Sequence, residues 1–319
     1  MRILSAEDVK AAITMREAIE AVREGFIALS AGKATVPVRG ALVSPDGILL
    51  TMPSYLDDGW VVKIVAVNPD NAALNLPAVH ATVVVMDART GAPLAIMDGR
   101  ALTAIRTGAA SGLATDLLAR PDASTLGVIG AGVQARTQIE GVCTVRTISE
   151  IRVYSLNGAA RLVDEMQGHS GARLTAVGSA TEALAGADVI VTATNSQTPT
   201  FAIGDAMPGA HINGIGSFTP QMQEIAADVV AGARVFVDQR AAAWAEAGDL
   251  IIARDNGIIT GDHVAGEIGE LAAGNIAGRT APDEITLFKS VGNAVQDNVV
   301  ARRILAAAAE RGLGVEANL

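Results

Sequence analysis

The run Thr125-Leu-Gly-Val-Ile-Gly-Ala-Gly-Val-Gln-Ala135 holds the residues whose types and spacing say most about chemistry. Its first half is typical of a buried strand, and a helix is predicted to begin near Val133, directly after the glycines. Gly130 permits a tight turn, Gly132 lets the backbone approach a phosphate, and Ala135 allows close packing of helix on strand. Because the first N–H groups of that helix are unpaired, they can bind a pyrophosphate, and we predict a dinucleotide site.

The end of the strand after the glycine turn indicates which dinucleotide is bound. Sites for NAD usually place an aspartate or glutamate there, about 20 residues after the glycines, where it binds the ribose hydroxyls. This chain has Ser155 and Asn157 instead, and Arg161 follows one helical turn later. With no carboxylate to repel it, a 2′-phosphate can pair with Arg161. We therefore expect NADP(H) to be favoured, with NAD as the alternative if Arg161 is simply a solvated helix residue.

Three cations in the first third of the chain stand in sequence settings that suggest burial. Lys63 lies within the apolar strand Trp60–Val67, Arg39 follows Pro37 by two residues, and Arg106 lies among small and apolar residues. A buried cation costs on the order of several kcal/mol unless it is paired. Each of the three is therefore expected to meet either a protein carboxylate or an anionic substrate, unless its charged end reaches solvent.

The composition favours a soluble enzyme of the α/β class. Half of the 319 residues are apolar but only 3% are aromatic, so the core must consist of small aliphatic side chains, as is typical of parallel sheets covered by helices. A formal net charge of −10 argues against nucleic acid or an anionic membrane as a partner. A single cysteine, Cys143, and no targeting signal or membrane-length apolar run predict a cytoplasmic protein. No cluster of Cys, His and carboxylate residues has metal-ligand spacing, so no metal is expected.

Two patterns of secondary structure meet near residue 120. Before it, an amphipathic helix over Arg16–Ala31 precedes short strands that should be antiparallel, and a helix over Leu102–Leu118 follows them. After Ser124, strands alternate with helices, which predicts a doubly wound parallel sheet, and the chain ends in a helix over Asn293–Arg311. The predicted strands are Thr35–Leu42, Ile48–Ser54, Val61–Val67, Val79–Asp87 and Pro93–Asp98 in the first part, and Leu126–Ile129, Ile151–Tyr154, Leu174–Val177, Val189–Thr194, His211–Ile215, Val235–Val237 and Ile285–Phe288 in the second.

Several stretches of the chain carry the pattern of a known family. The most specific combination is Leu102-Thr-Ala-Ile-Arg-Thr-Gly-Ala-Ala-Ser111 followed by the glycine turn. The other stretches are Val62-Lys-Ile-Val65 with Asn68-Pro69, Ile212-Asn-Gly-Ile-Gly216, Phe236-Val-Asp238 before Glu246-Ala-Gly-Asp249, and Thr286-Leu-Phe-Lys-Ser-Val-Gly-Asn-Ala-Val-Gln-Asp297. Over essentially its whole length, the chain resembles the ornithine cyclodeaminase/μ-crystallin family.

The resemblance implies a homodimer of two-domain subunits. A Rossmann-type dinucleotide-binding domain would span residues 120–291, and an α+β dimerisation and substrate domain would combine residues 1–119 and 292–319. Arg39, Lys63 and Arg106 would hold the substrate carboxylate in front of the nicotinamide, with Lys63 and Arg106 as the catalytic pair. Val291 would line the substrate side of the same cleft. Beyond the glycine turn, the cofactor contacts implied are Thr107, Val133, Gln134, Ser155, Thr194, Ile215 and Ser290.

One position departs from the family pattern. The resemblance implies that a cyclodeaminase needs an aspartate shortly after the Ile-Asn-Gly-Ile-Gly stretch, ahead of a proline. This aspartate acts as the acid/base group and faces the substrate amine. Here the segment reads Gly216-Ser-Phe-Thr-Pro220, which places Phe218 at that position. A phenyl ring neither donates a proton nor pairs with an ammonium group, so ornithine cyclisation is not expected unless Ser217 or Thr219 replaces the aspartate.

Reduction of an imine is chemically less demanding, and it is the activity we expect. A protonated cyclic ketimine needs orientation by cations and charge stabilisation as hydride arrives, and Lys63, or a water that it holds, could manage any remaining proton transfer. The expected activity is NAD(P)H-dependent reduction of a small α-imino acid such as pyrroline-2-carboxylate, or reductive amination of pyruvate as in alanine dehydrogenases, with Phe218 as an apolar wall. The alternatives are an ammonia lyase with recycling NAD and a non-catalytic μ-crystallin-like binding protein.

Three further residues have open or structural interpretations. Asp297 is expected either to orient a neighbour or to lie near the nicotinamide. His80 is interpreted as a core or interface histidine. Cys143 is expected to act as a small apolar residue on the helix after the glycine turn, because nothing in the sequence activates it as a nucleophile.

Overall fold

The computed structural model describes residues 1–318, and for Pro69 and Ala72 it describes only the backbone. Two compact units divide the chain: Met1–Arg106 together with the segment from Asn293 onward, and Thr107–Gly292. The C-terminal part of the expected domain 292–319 includes Leu319, which lies outside the described residues.

Fifteen strands and eleven helices occur in the described part of the chain. The strands are β1 (Arg2–Leu4), β2 (Gly40–Ser44), β3 (Gly47–Leu56), β4 (Gly59–Val67), β5 (Val79–Asp87), β6 (Pro93–Asp98), β7 (Thr125–Ile129), β8 (Glu150–Tyr154), β9 (Arg173–Ala176), β10 (Val189–Thr192), β11 (His211–Gly214), β12 (Ala233–Val237), β13 (Val264–Glu267), β14 (Ile285–Lys289) and β15 (Val315–Glu316). The helices are α1 (Ala6–Ala12), α2 (Met15–Ser30), α3 (Gly99–Leu118), α4 (Val133–Val145), α5 (Ala159–Met166), α6 (Ala180–Leu184), α7 (Ala227–Gly232), α8 (Arg240–Glu246), α9 (Gly248–Asp255), α10 (Ile268–Ala272) and α11 (Ala294–Arg311).

The first unit contains a seven-stranded mixed sheet in the order β15-β1-β6-β5-β4-β3-β2. Strands β2 to β6 are antiparallel neighbours, as their short turns predict. Helix α11 packs against α2 and against β3 and β4. The return of the chain end to this unit therefore places residues of α11 beside residues of β4, which is more than 200 positions away in the sequence.

The second unit contains an eight-stranded sheet in the order β13-β12-β14-β11-β10-β7-β8-β9, in which all paired strands are parallel. This confirms the doubly wound α/β fold that the alternation of strands and helices predicts. Strand β7 lies between β8 and β10. The chain adds β8 and β9 on one side of β7 and then crosses over to add β10 on the other side, so the strand order reverses at β7. In such sheets ligands bind at the carboxyl ends of the strands beside this reversal.

Some sequence-based expectations for single elements are wrong. The strand expected over Thr35–Leu42 begins only at Gly40, and Thr35 forms an isolated bridge with Tyr55. Pro37 lacks an N–H group and interrupts the ladder between these two points. Strand β13 was not expected because it is short and contains a glycine and a glutamate, which weaken any strand pattern.

His80 is exposed in the described chain, so its interpretation as a core histidine is also wrong. It pairs in register with Ala66 on β4, which puts it on the sheet face opposite Lys63. An interface role for this residue remains untested.

Helices α3 and α4 approach each other at two glycines. A Cβ atom added to Gly141 would lie 2.2 Å from the carbonyl oxygen of Gly108, and one added to Gly108 would lie 2.3 Å from the carbonyl oxygen of Thr137. Because both obstacles are backbone atoms, neither can move without displacing a helix. This contact sets the position of α4, and therefore of the glycine turn that precedes it.

We expect Gly141→Ala to lower the melting temperature by about 3 °C or more, because overpacking against backbone outweighs the gain in helix propensity. Gly261→Ala is the matched control, since a Cβ there would meet no atom within 4 Å. Circular dichroism melts of both variants test this, and equal melting temperatures would contradict it.

Candidate active site

The buried ends of two cations meet one carboxylate in the first unit. The Nζ atom of Lys63, on β4, lies 2.8 Å from Oδ2 and 3.0 Å from Oδ1 of Asp297, on α11. The Nε atom of Arg106 lies 3.1 Å from Oδ1 of the same carboxylate. Lys63 is 2% exposed and Asp297 is fully buried, so the cluster is withdrawn from bulk water. Asp297 thus orients both neighbours, and the expectation that it lies near the nicotinamide stays a prediction.

Burial changes the acid–base behaviour of Lys63. Desolvation lowers its pKa from the ordinary 10.5 to about 8, and the charge of Asp297 opposes this effect without cancelling it. The positive charges of Arg106 and Arg39 also contribute to this lowering, so the value of about 8 is the net result of all these effects. A lysine with a pKa near 8 can both carry a positive charge and release a proton close to neutral pH.

The charges of this cluster do not balance. Among residues 1–318, Asp297 is the only carboxylate paired with either Lys63 or Arg106, so the three groups carry a net charge of about +1 when Lys63 is protonated. Arg106 also donates from Nη1 to the side-chain oxygen of Gln296, a partner that the sequence analysis did not identify. Arg39 is half-buried and acts on Lys63 through its charge. Such an excess of buried positive charge favours an anionic ligand.

The glycine turn of the second unit has the geometry that a dinucleotide needs. Gly130 has a φ of +112°, and a Cβ there would lie 2.4 Å from the carbonyl oxygen of Ala193, so only glycine fits. Around Gly132, by contrast, a Cβ would meet no protein atom within 4 Å. Protein packing therefore does not require glycine at this position, whereas the close approach of a phosphate would.

The start of α4 fits an anion for a second reason. Its N-cap is Gly132, and no side chain caps the first turn. Its first N–H groups point out of the helix with the positive end of the helix dipole. Val133 is exposed in this turn and Gln134 is half-buried, while Thr107 is buried on α3. The residues present therefore fit a pyrophosphate.

Charged side chains connect the glycine turn to Arg161. Arg136, on α4, donates from Nη1 to the carbonyl oxygens of Ala131 and Gly132. The same guanidinium pairs with Glu165, which also accepts from Nε of Arg161 at 2.7 Å. The Arg161 side chain is 81% exposed and lies on the first turn of α5. Just before this helix, the Ser155 hydroxyl donates to the carbonyl oxygen of Asn157. None of the three residues that follow β8, Ser155 to Asn157, carries a carboxylate.

The segment after β11 exposes Phe218, buries Ser217 before it and leaves Thr219 half-buried. Phe218 is 44% exposed, whereas Ser217 is fully buried and its hydroxyl donates to the carbonyl oxygen of Met222. The carbonyl oxygen of Thr219 accepts the N–H of Met222, which closes a turn. A shift of this loop that would bring the Ser217 hydroxyl to the position of Phe218 would break the hydrogen bond with Met222.

Two buried carboxylates, to which the sequence analysis gave no role, accept hydrogen bonds at the carboxyl edge of the sheet. Asp238 accepts from the hydroxyl of Ser290 and from the N–H groups of Val291 and Gly292, and its burial raises its pKa. Glu224 accepts from the N–H of Thr194 in the same way. In the sequence, Asp238 lies in one of the family stretches without an apparent role and Glu224 lies in none of them, since most of their hydrogen-bond donors belong to distant loops.

Other kinds of site are not found in the described residues. No group of three or more His, Cys, Asp or Glu side chains there could hold a metal ion. No helix there combines the length and apolar character needed to cross a membrane. The thiol of Cys143 packs beside the core of the second unit, and burial raises its pKa to about 11, so it stays protonated and unreactive at neutral pH.

Comparison with known proteins finds relatives that match this chain over nearly its full length. The Delta(1)-pyrroline-2-carboxylate reductase of Bacillus cereus is 37% identical over 98% of both chains. The structure of the Thermococcus litoralis Delta(1)-pyrroline-2-carboxylate reductase in complex with NADH and L-proline is 40% identical, with a TM-score of 0.96 over 99% of this chain and 100% of the other. An archaeal alanine dehydrogenase dimer with bound NAD is 34% identical, with a TM-score of 0.95 over 100% and 99% of the chains.

The family comparison extends over nearly the whole sequence. The model of the Ornithine cyclodeaminase/mu-crystallin family matches residues 1–312. This confirms the resemblance carried by the glycine turn and the segment around Arg106. The chain belongs to the ornithine cyclodeaminase/mu-crystallin family.

Proposed function

We propose that this protein uses NAD(P)H to reduce a small cyclic ketimine carboxylate, with pyrroline-2-carboxylate as the first candidate. The observation that carries this proposal is the buried cluster in which Lys63 and Arg106 share the single carboxylate of Asp297. A substrate carboxylate would complete the charge balance of this cluster. The relatives that reduce pyrroline-2-carboxylate or act as alanine dehydrogenases support the same class of substrate.

The residues of the first unit would bind and orient the substrate. Arg106 is suited to a carboxylate, because its planar guanidinium can donate two parallel hydrogen bonds. Asp297 pairs with both cations and fixes their positions, which therefore do not depend on the substrate. Lys63, whose pKa of about 8 lies close to neutral pH, would stabilise or supply a proton at the imine nitrogen. Orientation and charge stabilisation together account for much of the barrier reduction that such a reaction needs.

The second unit would hold the dinucleotide, which supplies a hydride from its nicotinamide when bound. Gly130, Gly132 and the first turn of α4 would bind the pyrophosphate. Thr107, Gln134, Thr194, Ile215 and Ser290 are proposed as further contacts. NADPH is favoured over NADH because Arg136 and Arg161 outnumber the single carboxylate of Glu165 beside the glycine turn. The single cysteine is consistent with the reducing cytoplasm, which we propose as the compartment.

The loop after β11 argues against a cyclodeaminase. Phe218 occupies the exposed position where that activity requires an acid/base group, and the Ser217 hydroxyl is bound to Met222. The alternative within the reductase class is reductive amination of pyruvate, which the similarity to an alanine dehydrogenase favours. Reductive amination requires free ammonia, whereas reduction of a cyclic ketimine does not.

The test of the proposed function is the loss of NADPH absorbance with pyrroline-2-carboxylate, compared with pyruvate plus ammonia and with ornithine. We expect oxidation with the ketimine, and we expect Lys63→Met to lower kcat/KM by about a hundredfold or more. Lys33→Met, which removes an exposed lysine, is the control and should retain activity. Activity only with pyruvate and ammonia would show that the substrate is pyruvate and not the ketimine. Turnover unaffected by Lys63→Met would contradict the role of Lys63.

The pKa of Lys63 predicts a pH profile. Above about pH 8 the Lys63 ammonium group loses its proton, so kcat/KM should fall about tenfold per pH unit. Lys63→Arg keeps the charge at high pH and should remove this decline, although its overall rate will be lower. The unfolded chain binds more protons than the folded one between pH 8 and 10.5, so this group adds stability as the pH rises, and unfolding does not explain the decline. If the decline persists in Lys63→Arg, it is caused by deprotonation of the substrate imine and not of Lys63.

The cofactor preference can be tested at the end of β8. Arg161→Ala should lower the ratio of kcat/KM with NADPH to that with NADH by about tenfold, since it removes a charge partner of the 2′-phosphate. Ser155→Asp should lower the ratio further by repelling the phosphate. Arg173→Ala, on β9, serves as the charge-matched control. An unchanged ratio in both Arg161→Ala and Ser155→Asp would contradict the proposed NADPH preference.

We also propose that the protein is a homodimer. The sheet face of the first unit opposite α11 exposes apolar side chains, including Leu42, Trp60 and Ile64, at 68%, 43% and 38%. A contiguous exposed apolar patch is typical of a subunit interface, and the dimer of the archaeal relative supports this assignment.

Trp60→Glu should convert the dimer to a monomer, because it buries a charge in the interface without a partner. Light scattering after size exclusion measures the mass, and Trp60→Phe is the control that should remain dimeric. A Trp60→Glu protein of dimer mass would exclude this face as the interface.

A further inference from the structure

The loops that follow β10 and β11 are in contact through backbone atoms. A Cβ added to Gly216 would lie 2.0 Å from the carbonyl oxygen of Thr194. Under the second loop, a Cβ on Gly248 at the start of α9 would lie 2.0 Å from the carbonyl oxygen of Met222. Neither loop can therefore move far without the other.

One fully buried carboxylate joins these two loops. Oε1 of Glu224 accepts the N–H of Thr194 at 2.6 Å. Oε2 accepts the N–H groups of Gly216 and Ser217, at 2.5 and 3.1 Å, and the hydroxyl of Thr192 at 3.3 Å. Glu224 thus binds the ends of both strands and both loops with a single side chain.

Two further charges hold Glu224 in place. Oδ1 of Asp249 accepts the backbone N–H groups of Glu224 and Ile225, at 2.7 and 3.0 Å. Oδ2 of Asp249 lies 3.0 Å from Nζ of Lys289, which also donates to the carbonyl oxygen of Gly214. All three ionisable side chains are fully buried. The loops at the carboxyl ends of β10, β11 and β14 are therefore connected through one network of charges.

We propose that Glu224 is a positioning residue for the reaction: it fixes the Thr194 loop and the Gly216–Phe218 loop, and thereby sets the geometry of hydride transfer. This inference rests on the proposed function, in which Thr194 and Ile215 contact the cofactor, and on the expectation that Phe218 forms an apolar wall of the substrate site. Glu224 makes none of its hydrogen bonds to the glycine turn after β7. Its loss should therefore disturb transfer more than pyrophosphate binding.

The experiment compares Glu224→Gln with Asp188→Asn in the otherwise intact protein. Asp188 is a matched control because its carboxylate also accepts two backbone N–H groups, those of Ser124 and Thr125, and pairs with Arg120. It precedes β10, at the opposite edge of the same sheet. Both variants lose a buried carboxylate, so a merely structural effect should appear in both.

The first readout is hydrogen exchange, which requires no activity. We expect exchange to rise most in segments 193–198 and 214–220 of Glu224→Gln, and less in segment 126–136, where the glycine turn packs against Ala193. In Asp188→Asn it should rise only around residues 124 and 188. Faster exchange throughout Glu224→Gln, or none in either loop, would overturn the positioning role even if the protein reduces no ketimine.

The second readout separates kcat from cofactor affinity. In Glu224→Gln we expect kcat to fall by about tenfold or more, with a larger primary deuterium isotope effect, while the dissociation constant of NADPH changes less than threefold, about 0.6 kcal/mol. Thr192→Val, which removes one donor to Glu224, should change kcat in the same direction by a smaller factor, and it keeps the test open if Glu224→Gln does not fold. A fall in kcat that Asp188→Asn reproduces, with an unchanged isotope effect, would overturn the proposal. Absence of any ketimine reduction in the wild type would instead reject the proposed function.

Discussion

The structure of the first unit depends on burying Lys63 and Arg106 around the carboxylate of Asp297. Removing such groups from water costs on the order of several kcal/mol each, so the fold must bring the partners together accurately. Lys63 is supplied by a central strand, Arg106 by the helix that leaves the sheet, and Asp297 by a helix near the end of the chain. The return of α11 to the first unit is therefore a requirement of charge as much as of packing. Because one carboxylate serves two cations, the finished cluster keeps an excess of positive charge.

In the second unit, buried carboxylates bind backbone N–H groups, whereas in the first unit a buried carboxylate binds cations. The loops at the carboxyl edge of a parallel sheet leave backbone N–H groups without strand partners. Glu224 and Asp238 accept several of these N–H groups each, and their hydrogen bonds offset a burial that raises the pKa of both carboxyls. Acidic residues here act as anchors of the backbone. The glycine turn needs no such anchor, because it ends in a helix whose own first N–H groups are left for a ligand.

Sequence patterns sufficed for those parts of the structure that depend on neighbouring residues. The glycine turn, the amphipathic helix α2 and the parallel sheet follow from spacing within short windows, and all three are found in the structure. The prediction of a strand beginning at Thr35 is wrong, because the missing N–H group of Pro37 outweighs the strand propensity of the β-branched residues around it. The position of Lys63 was predicted as buried, but its partner was not identified, because 234 residues separate them. Glu224 could not be found at all, since a carboxylate that accepts from distant backbone atoms leaves no pattern beside it. For the dinucleotide preference, Glu165 was missed, although it contacts both Arg136 and Arg161.

In the proposed function, the cluster recognises a carboxylate through its unbalanced charge. Calorimetric titration with pyrrole-2-carboxylate, a planar analogue of the ketimine, and with the neutral pyrrole-2-carboxamide tests this claim most directly, in the presence of saturating oxidised dinucleotide. The account predicts that the carboxylate binds about thirtyfold or more tightly than the amide, which corresponds to about 2 kcal/mol, and that Arg106→Met removes this difference. Equal affinities for the two ligands would contradict it, because recognition would then depend on the ring and not on charge.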